Sequence, residues 1–115
     1  MASDPLQIER VDRGVLCLHG PLTVENVSPF INAVRREDAP TMILDFTGVP
    51  YLDSSGLGSL VSSCISCQKA GRRMALTGVN QRVMKVFQIT KTEPLFLMFP
   101  TVSDALEAFT NAGTA

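Results

Sequence analysis

The residues best suited to chemistry lie in one short segment, 52–60, with the sequence LDSSGLGSL. A carboxylate and two hydroxyls, Asp53, Ser54 and Ser55, are followed by two glycines. A hydroxyl becomes a nucleophile when a base removes its proton, yet residues 47–68 contain no histidine, lysine or arginine. Neither serine fits the G-x-S-x-G elbow, and the single histidine, His19, lies in a predicted strand. We therefore expect a protein that is not an enzyme.

Patterns for cofactors and metals are incomplete. Gly56 and Gly58 lack the third glycine of a dinucleotide fingerprint, and the lysine of a P-loop is absent. Cys64 and Cys67 form a C-x-x-C pattern late in a predicted helix, whereas the attacking thiol of a redox pair lies at a helix N-terminus. A structural zinc site needs four ligands, so we expect both cysteines to be core residues. The sequence predicts no cofactor and no metal site.

The segment is instead typical of a helix start. Asp and Ser are preferred N-caps because their oxygens accept hydrogen bonds from the free N–H groups of the first turn. Capping does not explain the glycines at 56 and 58, each of which costs roughly 0.5–1 kcal/mol relative to alanine. Glycine lets a partner or an anion approach the backbone closely, and a helix N-terminus attracts phosphate, bound or attached to a serine. These features favour a serine that another enzyme modifies.

Apolar periodicity predicts the elements that position this segment. Two strands at 6–11 and 15–19 flank a turn and indicate an opening hairpin. Further strands are predicted at 41–46, 74–76 and 95–99, and helical stripes cover 24–34, 57–65, 83–90 and 102–109. The order β, β, α, β, α, β, α, β, α predicts an α/β fold, with a mixed, mostly parallel sheet and four helices packed against it. We expect residues 111–115 to be a loose tail.

Composition limits the class of protein. With 115 residues, 45% hydrophobic and 18% charged, the chain is expected to form a single domain over 1–115, with an ordered core of about 5–110. A net charge of -1 offers no basic footprint for nucleic acid. Apolar runs are too short for membrane insertion, and the N-terminus does not resemble a secretory signal. Three cysteines, an odd number, favour a reducing compartment, so we expect a cytoplasmic protein.

Two runs resemble the signature of STAS domains and, more narrowly, of bacterial anti-sigma factor antagonists. They are ILDFTGV at 43–49 and YLDSSGLG at 51–58. The similarity extends over roughly 6–109 and includes LTGV at 76–79 and VSDAL at 102–106. The predicted order of strands and helices agrees with the fold of this family. The resemblance therefore implies a single STAS domain.

The resemblance also implies a phosphorylation switch at Ser54, the serine that directly follows the aspartate. In the family, a cognate anti-sigma factor with serine kinase activity phosphorylates this serine. The unphosphorylated form binds that anti-sigma factor and so releases a sigma factor. Phosphorylation breaks the complex, and a separate phosphatase resets the switch. The partner-binding residues implied for this chain are Asp53, Ser55, Gly56, Leu57 and Thr23.

One segment departs from the family pattern. Where the family commonly has Gly-Glu-Leu-Asp after the second strand, this chain has GPLT at 20–23, which lacks both acids. Some STAS domains carry the serine motif but serve other assemblies. The alternative is therefore a non-catalytic STAS subunit of a transporter, lipid-transport or stress-signalling complex. In such a subunit the start of the helix would dock a fixed partner.

Overall fold

A computed structural model describes residues 5–113 of the chain. The elements follow in the order β1 Gln7–Asp12, β2 Val15–His19, α1 Val27–Arg36, β3 Thr41–Gly48, α2 Ser54–Lys69, β4 Arg73–Thr77, α3 Gln81–Ile89, a 3-10 turn Glu93–Leu95, β5 Leu97–Phe99 and α4 Val102–Gly113. The predicted alternation of strands and helices is confirmed. Within residues 5–113, no helix is long and apolar enough to cross a membrane.

The five strands form one sheet in chain order, from β1 to β5. β1 and β2 are antiparallel, and Gly14, with a φ of 79°, lies in the turn between them. The other three neighbouring pairs are parallel, and each needs a crossover, which α1, α2 and α3 supply. The structure therefore confirms a mixed, mostly parallel sheet with an opening hairpin and four helices.

The sheet has a helical layer on each face. Side chains of a strand alternate between the two faces. One face carries the main core under α1, α2 and α3, which includes Phe30, Leu44, Phe46, Leu60 and Phe87. The other face packs against α4 through a smaller cluster of Val15, Ile43, Ala75 and Ala105. Because each crossover helix follows a parallel strand, α1, α2 and α3 all begin on the side of the carboxyl ends of the strands, where open α/β sheets bind their ligands.

The start of α1 differs from the prediction. The helix begins at Val27, and Val24, which was expected in its buried stripe, is exposed. Residues 23–26 form a turn instead, closed by the Asn26 N–H, which donates to the Thr23 carbonyl at 2.8 Å. The contact that holds this turn is with a segment distant in sequence, as described below.

Two boundaries near the C-terminus also differ. β5 begins at Leu97 rather than at 95, because Pro94 lies in a 3-10 turn that ends just before the strand. α4 continues to Gly113, so the first three residues of the predicted loose tail are helical. Residues 114–115 lie outside the part of the chain that the structure describes.

Candidate functional site at the start of helix α2

Two loops at the carboxyl ends of β2 and β3 run side by side and form the floor of the site. Leu22 and Leu52, both buried, form an isolated parallel bridge. The Leu22 N–H donates to the Tyr51 carbonyl at 3.1 Å, and the Asp53 N–H donates to the Leu22 carbonyl at 3.2 Å. This short extension of the β2–β3 pair brings Thr23 to the start of α2.

Asp53 is the N-cap of α2, and its carboxylate bonds in two directions. One oxygen accepts the Gly56 N–H at 2.8 Å, and the other accepts the Val24 N–H at 3.0 Å. Burial raises the pKa of this carboxyl, but the backbone donors of Gly56, Val24 and Ser55 outweigh burial and hold the pKa below its ordinary value. Asp53 is therefore ionised at neutral pH. Its negative charge is favourable at the N-terminus of α2. Its hydrogen bond from the Val24 N–H holds the turn before α1.

Ser54 and Ser55 are the first two residues of α2, and both are exposed. Within residues 5–113, neither side-chain hydroxyl makes a hydrogen bond, whereas Ser59 in the next turn donates to the Gly56 carbonyl at 2.8 Å. The Ser54 hydroxyl is thus accessible from solvent and directly follows an ionised carboxylate in the chain.

The two glycines of the segment have different surroundings. Gly56 is buried, and a Cβ there would collide with the Leu22 carbonyl oxygen and lie 3.1 Å from the Leu22 Cγ. Gly58 is exposed, and a Cβ there would meet nothing within 4 Å outside its own helical turn. The close approach that Gly56 permits is therefore made by this chain's own Leu22. Gly56 therefore lets α2 begin against that loop.

Leu57 and Thr23 complete the predicted set. Leu57 is partly buried against the main core, and its N–H donates to the Asp53 carbonyl at 2.8 Å. Thr23 is partly exposed, and its Oγ1 is buried without a hydrogen-bond partner in the described part of the chain. Beside it, Val24 is 63% exposed. The structure thus brings Thr23 and Asp53 together at the start of α2, with the predicted Gly56 and Leu57 beneath the surface.

Sequence reasoning missed the contribution of α3. Asn80 caps α3 by accepting the Val83 N–H at 2.8 Å, and its side-chain NH2 donates to the carbonyls of residues 49 and 50, each at 3.2 Å. Arg82 lies over the Tyr51 ring, with its Cζ 4.8 Å from the ring centroid. These contacts fix the loop that leads into α2. They join segments far apart in sequence, and only the N-cap preference of Asn80 could have signalled them.

The other candidate chemistry lies elsewhere. Cys64 and Cys67 are buried in α2, and burial raises the pKa of both thiols. Their predicted role as core residues is confirmed. His19 is the last residue of β2 and is exposed. Among the side chains that the structure describes, no three His, Cys, Asp or Glu residues are arranged to hold a metal ion.

This chain is similar in sequence and in fold to several known proteins. An anti-sigma-B factor antagonist of Staphylococcus aureus is 25% identical over 73 residues, which cover 64% of this chain and 68% of the relative. A Thermotoga maritima protein, solved as a candidate anti-sigma factor antagonist, has a TM-score of 0.77 at 27% identity, covering 90% of this chain and 92% of that one. The anti-sigma factor antagonist SpoIIAA, in its unphosphorylated form, has a TM-score of 0.70 at 23% identity, covering 92% and 96%. The last likeness shows the fold alone.

A family model decides the classification. The model of the STAS domain matches residues 5–105, which include all five strands and the segment at the start of α2. The observed sheet order and the helix start at Asp53 fit the resemblance seen in the sequence. This chain belongs to the STAS domain family.

Proposed function

We propose that this STAS domain is an anti-sigma factor antagonist switched by phosphorylation of Ser54. In its unphosphorylated form it binds an anti-sigma factor with serine kinase activity, and a sigma factor is released. The main support is the position of Ser54, which is exposed at the first turn of α2 next to the ionised Asp53. Antagonists among its distant relatives agree with this role.

The local charges explain how a phosphate would act. Phosphorylation adds about -1.5 to -2 charges at neutral pH. A free helix N-terminus binds such a charge, but here the Asp53 oxygens already accept the N–H groups of Gly56 and Val24. A phosphate on Ser54 is therefore next to an existing carboxylate and projects into solvent. It prevents docking by its charge and bulk, and the fold need not rearrange.

The proposed partner surface surrounds this position. Thr23, Asp53 and Ser55 contribute to it directly, while Gly56 and Leu57 support it from below. The exposed Val24 adds an apolar contact. The phosphatase that resets the switch removes the phosphate from the same accessible serine. No group of this surface acts as a catalytic base, so the chemistry belongs to the kinase and the phosphatase.

Phosphorylation in vitro tests the switch. The purified chain is incubated with a cognate anti-sigma factor kinase and ATP, and the modified residue is identified by mass spectrometry. We expect modification of the wild type and of the matched control Ser55→Ala, and none of Ser54→Ala. Modification of Ser55, or of neither serine, contradicts the assignment of Ser54.

Binding to the same anti-sigma factor provides a second measurement. Ser54→Asp places a negative charge at the proposed docking surface, so it should weaken binding far more than Ser54→Ala does. Equal affinities of the two variants would contradict a switch that acts by charge.

One feature favours a second function. Pro21 and Thr23 leave the surface without the acids of the antagonist pattern, so we also propose a non-catalytic STAS subunit of a transporter, lipid-transport or stress-signalling complex. Affinity purification with the tagged chain distinguishes the two. If an ATPase or a membrane subunit is recovered, and if it binds the wild type and Ser54→Asp with equal affinity, the result supports the role as a non-catalytic subunit. Recovery of a serine-kinase anti-sigma factor supports the antagonist.

A further inference from the structure

We propose that the outer edge of β1 is a second docking surface, which binds an extended, acidic segment of a partner protein as an added strand. This surface, the β1–α1 groove, is lined by Ile8, Arg10, Leu16, Pro29, Ala33 and Arg36, among others. It shares no residue with the start of α2. The inference therefore does not depend on the proposed phosphorylation switch.

The first support is an open strand edge. β1 is the first strand of the sheet, and in the described part of the chain it pairs only with β2. The backbone groups on its outer side are a template for another strand. Pairing with β2 is regular from Gln7 to Arg10, and a register shift between Arg10 and Asp12 interrupts it. A bulge twists the edge, so the added strand is confined to the regular part.

The second support is the groove next to this same part of β1. Ile8 and Arg10 lie opposite Leu18 and Leu16, which are core residues, so their side chains point to the face that α1 covers. Pro29 and Ala33 of α1 form the other side of the groove. The groove has a volume of about 560 Å³. Alternate side chains of an added strand would point to this face. Apolar side chains at those positions would pack on Ile8 and Ala33.

The third support is charge. Among the residues that the structure describes, Glu37 is the only carboxylate that lines the groove. Its side chain is 1% exposed, and it is held by the Arg10 Nε at 2.8 Å and the Gly14 N–H at 3.1 Å. Arg36 is exposed and has no ion-pair partner among the described side chains. The charge of the groove that is not compensated by an ion pair is therefore the positive charge of Arg36. An acidic residue in the added strand would complement it.

A second copy of this chain fits the edge poorly. In a two-fold antiparallel pairing of two β1 strands, directly opposite residues point to the same face. The side chains that a second copy brings to the groove would be its own Ile8 and Arg10. A further guanidinium would then meet Arg36. Like charges placed together in this way oppose association, which favours a different, acidic partner.

Peptide binding tests this surface on the full chain. The probe is an acetylated, amidated heptapeptide, Thr-Val-Thr-Val-Thr-Glu-Thr, whose two Val and one Glu side chains share a face. We expect it to shift the backbone amide NMR signals of residues 7–10 and to leave those of Ser54 and Ser55 unchanged. Two control peptides have the same sequence but are N-methylated, one at the odd and one at the even residues. We expect one of them not to bind, because it lacks the donors that face β1.

Two arginine variants test the charge. Arg36→Glu should weaken binding of the peptide roughly five- to tenfold, since it replaces an attraction by a repulsion. Arg35→Glu is the matched control, because Arg35 adjoins Arg36 but lines the separate groove between α1 and α2. It should change the affinity less than about twofold. Ser54→Asp should bind the peptide as the wild type does, which separates this result from the fate of the proposed switch.

Several results would overturn the inference. Binding of both N-methylated peptides at full affinity would show that no strand is added. Equal effects of Arg35→Glu and Arg36→Glu would show attraction by overall charge, without docking in the groove. Absence of any shift at residues 7–10 at millimolar peptide would also overturn it. So would a dimer seen by light scattering without peptide, with the same amides protected, because the edge would then belong to a second copy.

Discussion

Two carboxylates, Glu37 and Asp53, each bind backbone N–H groups, but only one of them is neutralised. Glu37 accepts from the N–H groups of Gly14 and Ala39, at 3.1 and 3.4 Å, and pairs with Arg10. Its side chain is 1% exposed. Asp53 also accepts two backbone N–H groups, yet it is partly exposed and has no cationic partner among the described side chains.

The two carboxylates differ in how their charge is compensated. Glu37 joins the β1–β2 turn to the end of α1, and its charge is compensated inside the fold. Asp53 joins the turn before α1 to the start of α2, but its charge remains effective at the surface. A second negative group attached to Ser54 therefore meets an uncompensated carboxylate. The same group near Glu37 would meet a neutral ion pair.

The largest expected effect is the loss of Glu37. In Glu37→Ala the buried N–H groups of Gly14 and Ala39 lose their acceptor, and an unsatisfied buried donor costs about 1–3 kcal/mol. We expect the free energy of unfolding, measured by urea denaturation, to fall by about 3 kcal/mol. Arg10→Ala is the comparison, and it should cost less because Glu37 keeps its backbone donors, although its buried carboxylate loses the guanidinium. Equal losses would show that the ion pair, rather than the backbone contacts, matters.

Glu37 also predicts how stability depends on pH. The hydrogen bond from Arg10, against the opposing effect of burial, lowers the pKa of Glu37 from 4.5 to about 2. A lowered folded-state pKa stabilises the protein above the unfolded pKa, and this contribution is lost as the pH falls from about 4.5 to 2. Wild type should lose no more than about 3 kcal/mol from this group in that range. Glu37→Gln should lack this part of the slope, and parallel curves for the two proteins would contradict the assignment.

Substitutions of Gly56 and Gly58, in the helix that Asp53 caps, should have the next largest effects on the free energy of unfolding. Gly56→Ala drives a Cβ into the Leu22 carbonyl, and overpacking of this kind typically costs about 1–3 kcal/mol. Gly58→Ala has open space and should stabilise the helix by roughly 0.5–1 kcal/mol. Urea denaturation of the two variants measures both effects. If both variants stabilise the protein, the loop at Leu22 yields easily and does not fix the start of α2.

Much of the fold could be predicted from the sequence because its signals are local. The buried run at 41–46 and the helical stripe beginning at Leu57 show their type within one element. The N-cap preference of Asp and Ser likewise located the start of α2, whereas Ser54 was singled out only by the resemblance to the family. The start of α1 was predicted wrongly, because the Val24 N–H is held by a carboxylate distant in the chain.

Contacts between distant segments explain what sequence reasoning missed. Gly56 was interpreted as an opening for a partner, but Leu22 fills that space. Glu37 gave no signal at all, since its partners Arg10 and Gly14 lie in the opening hairpin. Neither contact follows a periodic pattern. Each depends on the parallel pairing of β2 and β3. This pairing brings the loops after the two strands together at one end of the sheet and the segments before them together at the other end.

The smallest expected effect is the most direct test of the uncompensated charge at Asp53. An acid in the first helical turn is favourable by about 0.3–1 kcal/mol, but in Ser54→Asp the neighbouring carboxylate of Asp53 opposes this gain. In the Asp53→Asn background the amide oxygen retains the cap on the Gly56 N–H and the charge is removed, while the Val24 N–H loses its acceptor in both members of the pair, so Ser54→Asp should become stabilising. We expect a coupling of about 0.5 kcal/mol in a double-mutant cycle by urea denaturation, reduced in 1 M salt. In a Glu37→Gln background Ser54→Asp should behave as it does in the wild type, because Glu37 lies at the opposite end of β3 and is already paired with Arg10. A coupling of equal size with Glu37 would show that the effect does not come from the neighbouring Asp53 charge.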